Sequence, residues 1–356
     1  MKKFITIFII FVLILAGGYI GLNYFSSNGG KVGNIFKLSQ EREGKAIKPG
    51  DYVPSKMKEV MTDKRDIAVV VENSPDARPQ SGLSSAYVVS EFVVESGITR
   101  YLAIFNESTA KKIGPTRSAR HHFLDYVFEH DAVFVHFGGS RQGYADLKSL
   151  GVENMDGMAL DGIRFFRDKT RYAPHNAYTS MEHILEYTSK YDTKSTKENK
   201  FKYSSNEVVL NNSQDATIVE VEYPNEDVKY EYDVENKVYK RFIRNKEDKD
   251  RETNKQITAK NIIVQQVDYW RLTGMYAEKG VQDMKAIGNG KGYYITEGKM
   301  IPITWSKVGI SSRTIFKDSE GKEIILNDGN TYVQMQPSNL DVNNLTPKKE
   351  AVDEEK

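Results

Sequence analysis

Residues 4–25 of this 356-residue chain, FITIFIIFVLILAGGYIGLNYF, form an almost unbroken apolar run. Wound as a helix at about 1.5 Å per residue, such a run crosses the roughly 30 Å hydrocarbon core of a bilayer. It therefore predicts a transmembrane anchor over residues 1–25 and removes them from any water-soluble fold. Lys2 and Lys3 precede it, and the preference of basic residues for the cytoplasmic side places everything after Phe25 outside the membrane. A cleaved secretion signal is the rival reading, but the run is longer than the about 7–15 apolar residues of a signal core. Leu15-Ala16-Gly17-Gly18 is similar to a lipidation box with glycine where the acylated cysteine would stand, and the chain has no cysteine. Disulfides, thiol nucleophiles and cysteine zinc sites are excluded with it.

Beyond the anchor, residues 26–55 are polar and rich in Gly and Lys, which reads as an extracytoplasmic spacer. Over 56–200, the runs IAVVVEN (67–73), AYVVSEFVVE (86–95), RYLAIFN (100–106) and AVFVHFG (132–138) carry the β-branched and aromatic signature of strands. Pro115 and the spacing of Phe123, Leu124 and Val127 predict a helix over 116–130, with further helices over 144–150 and 180–187. From 207 to 337 short alternating runs such as ATIVEVEY, VKYEYDV, NIIVQQV and NTYVQMQ predict a mostly antiparallel β domain, followed by a polar, disordered tail over 338–356. The expected fold class is α+β: a mixed α/β domain followed by the β-rich one. With 50 basic and 49 acidic residues, a net charge of +1 offers no field for nucleic acid.

The protonatable side chains are concentrated in the first domain. All six histidines lie between His121 and His183, among arginines and three compact segments, GPTRSAR (114–120), HFGGS (136–140) and APHN (173–176). Glu91 and Glu95 share one face of an otherwise apolar strand by parity. Four residues of strand span roughly 13 Å, too far for a glycosidase pair at about 5–9.5 Å. Either glutamate alone is a candidate acid/base, or an ion-pair partner of Arg100, Arg117 or Arg120. His136 and His175 are the candidate proton carriers. Arg78, Arg117, Ser118, Arg120, Gly138, Gly139, Ser140, Arg167, Arg171 and Asn176 are candidate ligand contacts, with the helix N-terminus at 116–118 suited to a carboxylate or phosphate. His121 and His122, adjacent on the expected helix, point apart; with no metal-ligand spacing and no cofactor motif, neither metal nor cofactor is expected.

ENSPDARPQSGLSSA (72–86), VVESGITRYLAIF (93–105), IGPTRSAR (113–120), VHFGGS (135–140) and APHNAYTS (173–180), followed by NIIVQQV, GNGKGYYITEGKMIPITW and LNDGNTYVQMQP, resemble the DUF3048 family. These are YerB-like extracytoplasmic proteins of Gram-positive bacteria, many of them similar to lipoproteins, from which Gly18 sets this chain apart. The resemblance implies a two-part protein held at the cell surface. The ligand expected there is peptidoglycan, bound and cleaved or remodelled at the Glu/His/Arg region. The alternative is a scaffold holding another anionic envelope ligand or a protein partner without turnover.

Overall fold

In IAVVVE, successive side chains enter different cores: Ile67, Val69 and Val71 pack on one side of the strand, Ala68 and Val70 on the other. Such a strand is buried on both faces, and most of the architecture follows from covering them. The computed structural model describes residue 57 and residues 62–347, except 107, 193, 197–200, 278 and 279. The predicted anchor and spacer fall outside the described residues, Met57 of the 56–200 segment aside. Among the described residues no helix is long and apolar enough to cross a membrane.

The strands used below are β1 (Ile67–Glu72), β2 (Val88–Val93), β3 (Thr99–Phe105), β4 (Val133–His136), β5 (Asn154–Asp156), β6 (Ile218–Glu222), β7 (Asp227–Asp233), β8 (Val238–Ile243), β9 (Asn261–Val267), β10 (Gly288–Thr296), β11 (Lys299–Lys307), β12 (Ile315–Lys317), β13 (Thr331–Pro337) and β14 (Val342–Asn344). The helices are α1 (Leu124–Glu129), α2 (Arg141–Ser149) and α3 (Met181–Thr188). An eleven-stranded mixed sheet runs in the order β12-β11-β10-β9-β13-β2-β3-β1-β4-β5, with Gln214–Asp215 paired to β11. The fold is α+β. Strand β13 lies parallel to β2 on one side and to β9 on the other, so one sheet draws strands from both 56–200 and 207–337.

One face of this sheet packs Val88, Phe92, Leu102 and Ile104 against Leu124 and Val127 of α1. The opposite face packs Val89, Val93, Tyr101 and Ala103 against Val219, Val221, Val228, Tyr230 and Tyr239 of a second sheet, in which β6, β7 and β8 are antiparallel neighbours. Two stacked sheets with helices on the remaining face give a layered core.

Two expectations are corrected here. The helix predicted from Thr116 starts five to eight residues later, as a 3-10 turn His121–Phe123 leading into α1, and Arg120 before it is extended. Residues 116–119 instead bridge to β1 and to the glycine loop. The polar tail is ordered at its start: β14 pairs antiparallel with β6, and Asn343 Nδ2 donates to Glu222 Oε1 at 2.8 Å.

Candidate functional site

Strands β1, β4 and β5 run parallel, and their carboxyl ends bring Glu72, His136 and Asp156 to one edge of the sheet. In open sheets this is where ligands bind. The three compact segments meet there. Arg117 N donates to Val70 O at 3.1 Å, Phe137 N to Arg117 O at 2.9 Å, Ala119 N to Gly138 O at 2.8 Å and Thr116 N to Ala177 O at 2.7 Å. Gly138 has φ 77°, a left-handed conformation that favours glycine, and Asp156 Oδ1 accepts from its amide at 2.9 Å.

At the end of β1, Glu72 is 2% exposed. Its Oε2 lies 3.0 Å from Arg117 Nε, and its Oε1 lies 2.9 Å from His175 Nδ1 and accepts from Ser74 Oγ at 2.7 Å. Arg117 and His175 are each 22% exposed as side chains, so a buried carboxylate holds two groups that reach solvent. His175 Nε2 faces the exposed Asp76, 3.9 Å away. Ser74 Oγ donates to Glu72 and lies 3.4 Å from His175 Nδ1, the same ring nitrogen that faces Glu72, so the three do not form a serine triad. Tyr172, 90% exposed, belongs to the same turn as His175, and Met158, 64% exposed, flanks Gly138.

The other expected catalytic side chains lie elsewhere or are occupied. Glu91 and Arg241 are both fully buried, with Arg241 Nη2 donating to Glu91 Oε2 at 2.6 Å. Thr99 Oγ1 and Asn73 Nδ2 donate to the other oxygen at 2.7 and 3.0 Å. Arg241 also pairs with Asp248 and lies among the rings of Tyr101, Tyr230 and Tyr332. Burial pushes the Glu91 carboxyl above its usual range, with Arg241 and Thr99 opposing. The group is nevertheless sealed between two sheets, and the catalytic expectation is corrected: Glu91 is a brace. His136 is corrected likewise. It is 0% exposed, its Nδ1 donates to Gly138 O at 2.8 Å and its Nε2 lies 3.3 Å from Asn154 Oδ1.

Glu95 does not share the strand face of Glu91, because β2 ends at Val93 and Glu95 opens a 3-10 turn. It pairs with Arg120, and with Arg100 at 3.5 Å. Burial would raise its pKa, but Arg100, Arg120 and its hydrogen bonds outweigh that and hold the carboxyl below its usual range. A depressed carboxylate stabilises the fold above its unfolded pKa of about 4.3, and that contribution is lost as pH falls through the folded value. The gap in melting temperature between wild type and Glu95→Gln is therefore expected to narrow as pH falls below about 4.3. A gap constant from pH 7 to pH 3 would contradict the pairing.

Of the expected ligand contacts, Arg117 alone joins the Glu72 cluster directly. Arg78 donates to Asn73 Oδ1 at 2.9 Å and pairs with Glu226; Arg167 pairs with Asp161 at 2.7 Å and donates to Asn176 Oδ1 at 3.0 Å. Arg171 donates to the carbonyls of Asp76 and Pro79 at 2.9 and 2.7 Å, tying the His175 turn to the Ser74 loop. Ser118 Oγ donates to Phe137 O at 3.4 Å, Gly139 bridges to Ala119, and Ser140 caps α2 by accepting from Gly143 N at 3.0 Å. Arg100, Arg117 and Arg120 face Glu72 and Glu95, three positive charges to two negative, and the Arg100 guanidinium is drawn down by burial and by Arg120. His130 lies 3.3 Å from Asp66 and His183 3.0 Å from Arg164 O. His121 and His122 do not diverge: a 3-10 turn carries them, their ring centroids are 5.1 Å apart and both approach Asp283.

Sequence reasoning passed over Glu72, Arg241 and Asp283. Glu72 had a local signal, an acidic residue closing an apolar strand just before Asn73-Ser74-Pro75; the other two had none.

Residues 54–194 match the family profile described as the protein of unknown function (DUF3048) N-terminal domain, and residues 219–333 match its C-terminal domain. YerB of Bacillus subtilis (strain 168), named as a candidate lipoprotein, is 32% identical over 291 residues, 79% of this chain and 84% of YerB. The crystal structure of YerB from Bacillus subtilis superposes with a TM-score of 0.68 at 29% identity, covering 83% of this chain and 98% of that one.

Proposed function

Since the chain belongs to the DUF3048 family, we propose that it is a membrane-anchored, extracytoplasmic cell-envelope protein that binds a carboxylate-bearing peptidoglycan fragment at Arg117, Glu72 and His175. One arrangement carries this reading: a buried carboxylate at the carboxyl ends of parallel strands presents an arginine and a histidine to solvent. Arg117 suits a ligand carboxylate, and the exposed Tyr172 ring offers a stacking surface for a sugar.

Binding without turnover is favoured over strand cleavage. Glu91 is sealed, Glu95 faces two guanidiniums, His136 is buried and Ser140 caps a helix. One observation favours the enzymatic alternative: Glu72 fixes His175 Nδ1 and leaves Nε2 on the solvent side, the posture of a general base.

Co-sedimentation of the detergent-solubilised full chain with purified sacculi tests the site. Arg117→Lys keeps a cation beside Glu72 but loses the planar fork, and Tyr172→Ala removes an exposed ring. Loss of a charge-assisted contact worth about 1.5–3 kcal/mol lowers affinity by roughly 10–100-fold. That drop is expected for Arg117→Lys, a smaller one for Tyr172→Ala, and neither variant is expected to change the melting temperature appreciably. Unchanged retention in both variants would reject the site.

A further inference from the structure

The ligand site uses neither His121 nor His122, and their setting is unlike that of ordinary core imidazoles. His122 is 1% exposed and packs against Phe92 and Phe123, with ring centroids 5.9 and 4.8 Å away. Among the described residues neither of its ring nitrogens has a partner in good hydrogen-bond geometry, the backbone of Gln282 offering at most a loose contact. A buried polar ring left in this way calls for a partner. Beside it, His121 Nε2 lies 2.9 Å from Asp283 Oδ1.

We propose that His121, His122 and Asp283 bind a divalent transition-metal ion. Each offers one donor atom, and the three atoms lie within 4.8 Å of one another. In a tetrahedral zinc site with bonds of about 2.0–2.2 Å, donors stand about 3.3–3.6 Å apart. The widest separation would have to close by about 1–1.5 Å on binding. Two imidazoles and a carboxylate form a donor set that zinc and its neighbours accept, with the fourth position left to water.

The charge around the site is mixed: the Arg100 and Arg120 guanidiniums, which share Glu95, act on His122 from one side, and carboxylates face the donors from the other. Asp125, one turn after His121, interacts electrostatically with both His121 and Asp283, so two carboxylates face the site. Arg120, which precedes the turn, is paired with Glu95, and Lys307, near Asp125, is paired with Glu129. The donors come from distant parts of the chain. His121 and His122 sit on the 3-10 turn ahead of α1, whereas Asp283 sits on the short strand Gln282–Met284, paired with Tyr269–Arg271. A bound ion would fasten that hairpin to the turn.

The test uses the full chain in detergent, stripped with a chelator and titrated with zinc(II) by calorimetry and with cobalt(II) by visible absorption. The expected result is saturable binding of one equivalent, a four-coordinate cobalt(II) spectrum and a raised melting temperature. His122→Phe keeps an apolar ring against Phe92, and Asp283→Asn alters a partly exposed side chain; each is expected to weaken zinc affinity at least tenfold with the circular dichroism spectrum unchanged. His183→Ala is expected to bind as wild type does. Absence of saturable binding in wild type, or wild-type affinity in both His122→Phe and Asp283→Asn, would overturn the proposal.

Discussion

Arg241→Ala is expected to destabilise the protein by about 3–5 kcal/mol, the penalty for removing one partner of a buried ionic pair. The guanidinium is fully buried between the two sheets and holds both Glu91 and Asp248. Without it, two carboxylates remain in the core facing Tyr101, Tyr230 and Tyr332, and hydrogen bonds from Asn73 and Thr99 stabilise only Glu91. A loss of this size is a large part of the about 5–15 kcal/mol that holds a typical domain together. Urea unfolding followed by circular dichroism measures it. A midpoint within experimental error of wild type would show that Arg241 does not brace the sheets.

The second large effect concerns the N-terminal segment expressed alone. A fragment of residues 56–200 is expected to show no cooperative thermal transition, although a family domain matches most of it. The cut removes β13, which pairs with β2 in parallel register from Val88↔Thr331 to Phe92↔Met335, and leaves that edge open. It also strips Val219, Val221, Val228, Tyr230 and Tyr239 from the core facing Val89, Val93 and Tyr101. At about 1.5–3 kcal/mol for each large apolar side chain, the lost burial approaches or exceeds the whole stability of a domain. Glu91 loses Arg241, and Glu129 of α1 loses Lys307, whose Nζ lies 2.8 Å from it in the intact chain. A sharp unfolding transition in the fragment would contradict this picture.

Strands were the most legible part of the fold, because alternation and β-branching are local and both faces of β1 and β2 had to be covered. The start of the first helix was not. Pro115 and the apolar spacing after it permit a helix from Thr116, but residues 116–119 are taken up by backbone bonds to β1 and to the glycine loop, partners distant in sequence. Strand parity placed Glu91 on a buried face and failed for Glu95, because β2 stops at Val93. What Glu91 does was hidden for a different reason: Arg241 is 150 positions away, in an alternating run that reads as an ordinary half-exposed strand. His121 and His122 were expected to diverge on an α-helix, and a single 3-10 turn brings both to Asp283. Within the proposed ligand site, Arg117 and His175 were visible as residue types in unusual segments. Glu72, which unites them, looked like the last residue of a strand.

In the proposed arrangement Glu91 braces the fold, and ligand is met at Arg117, Glu72 and His175. The most direct test of this arrangement incubates wild type, Glu91→Gln and Arg117→Lys with purified sacculi. The amount of protein retained, the fragments released and the melting temperature of each variant are then measured. The expected result is retention of wild type without released muropeptides, a lowered melting temperature in Glu91→Gln, and lost retention at an unchanged melting temperature in Arg117→Lys. Muropeptides released by wild type and absent with Glu91→Gln, at an unchanged melting temperature, would contradict it.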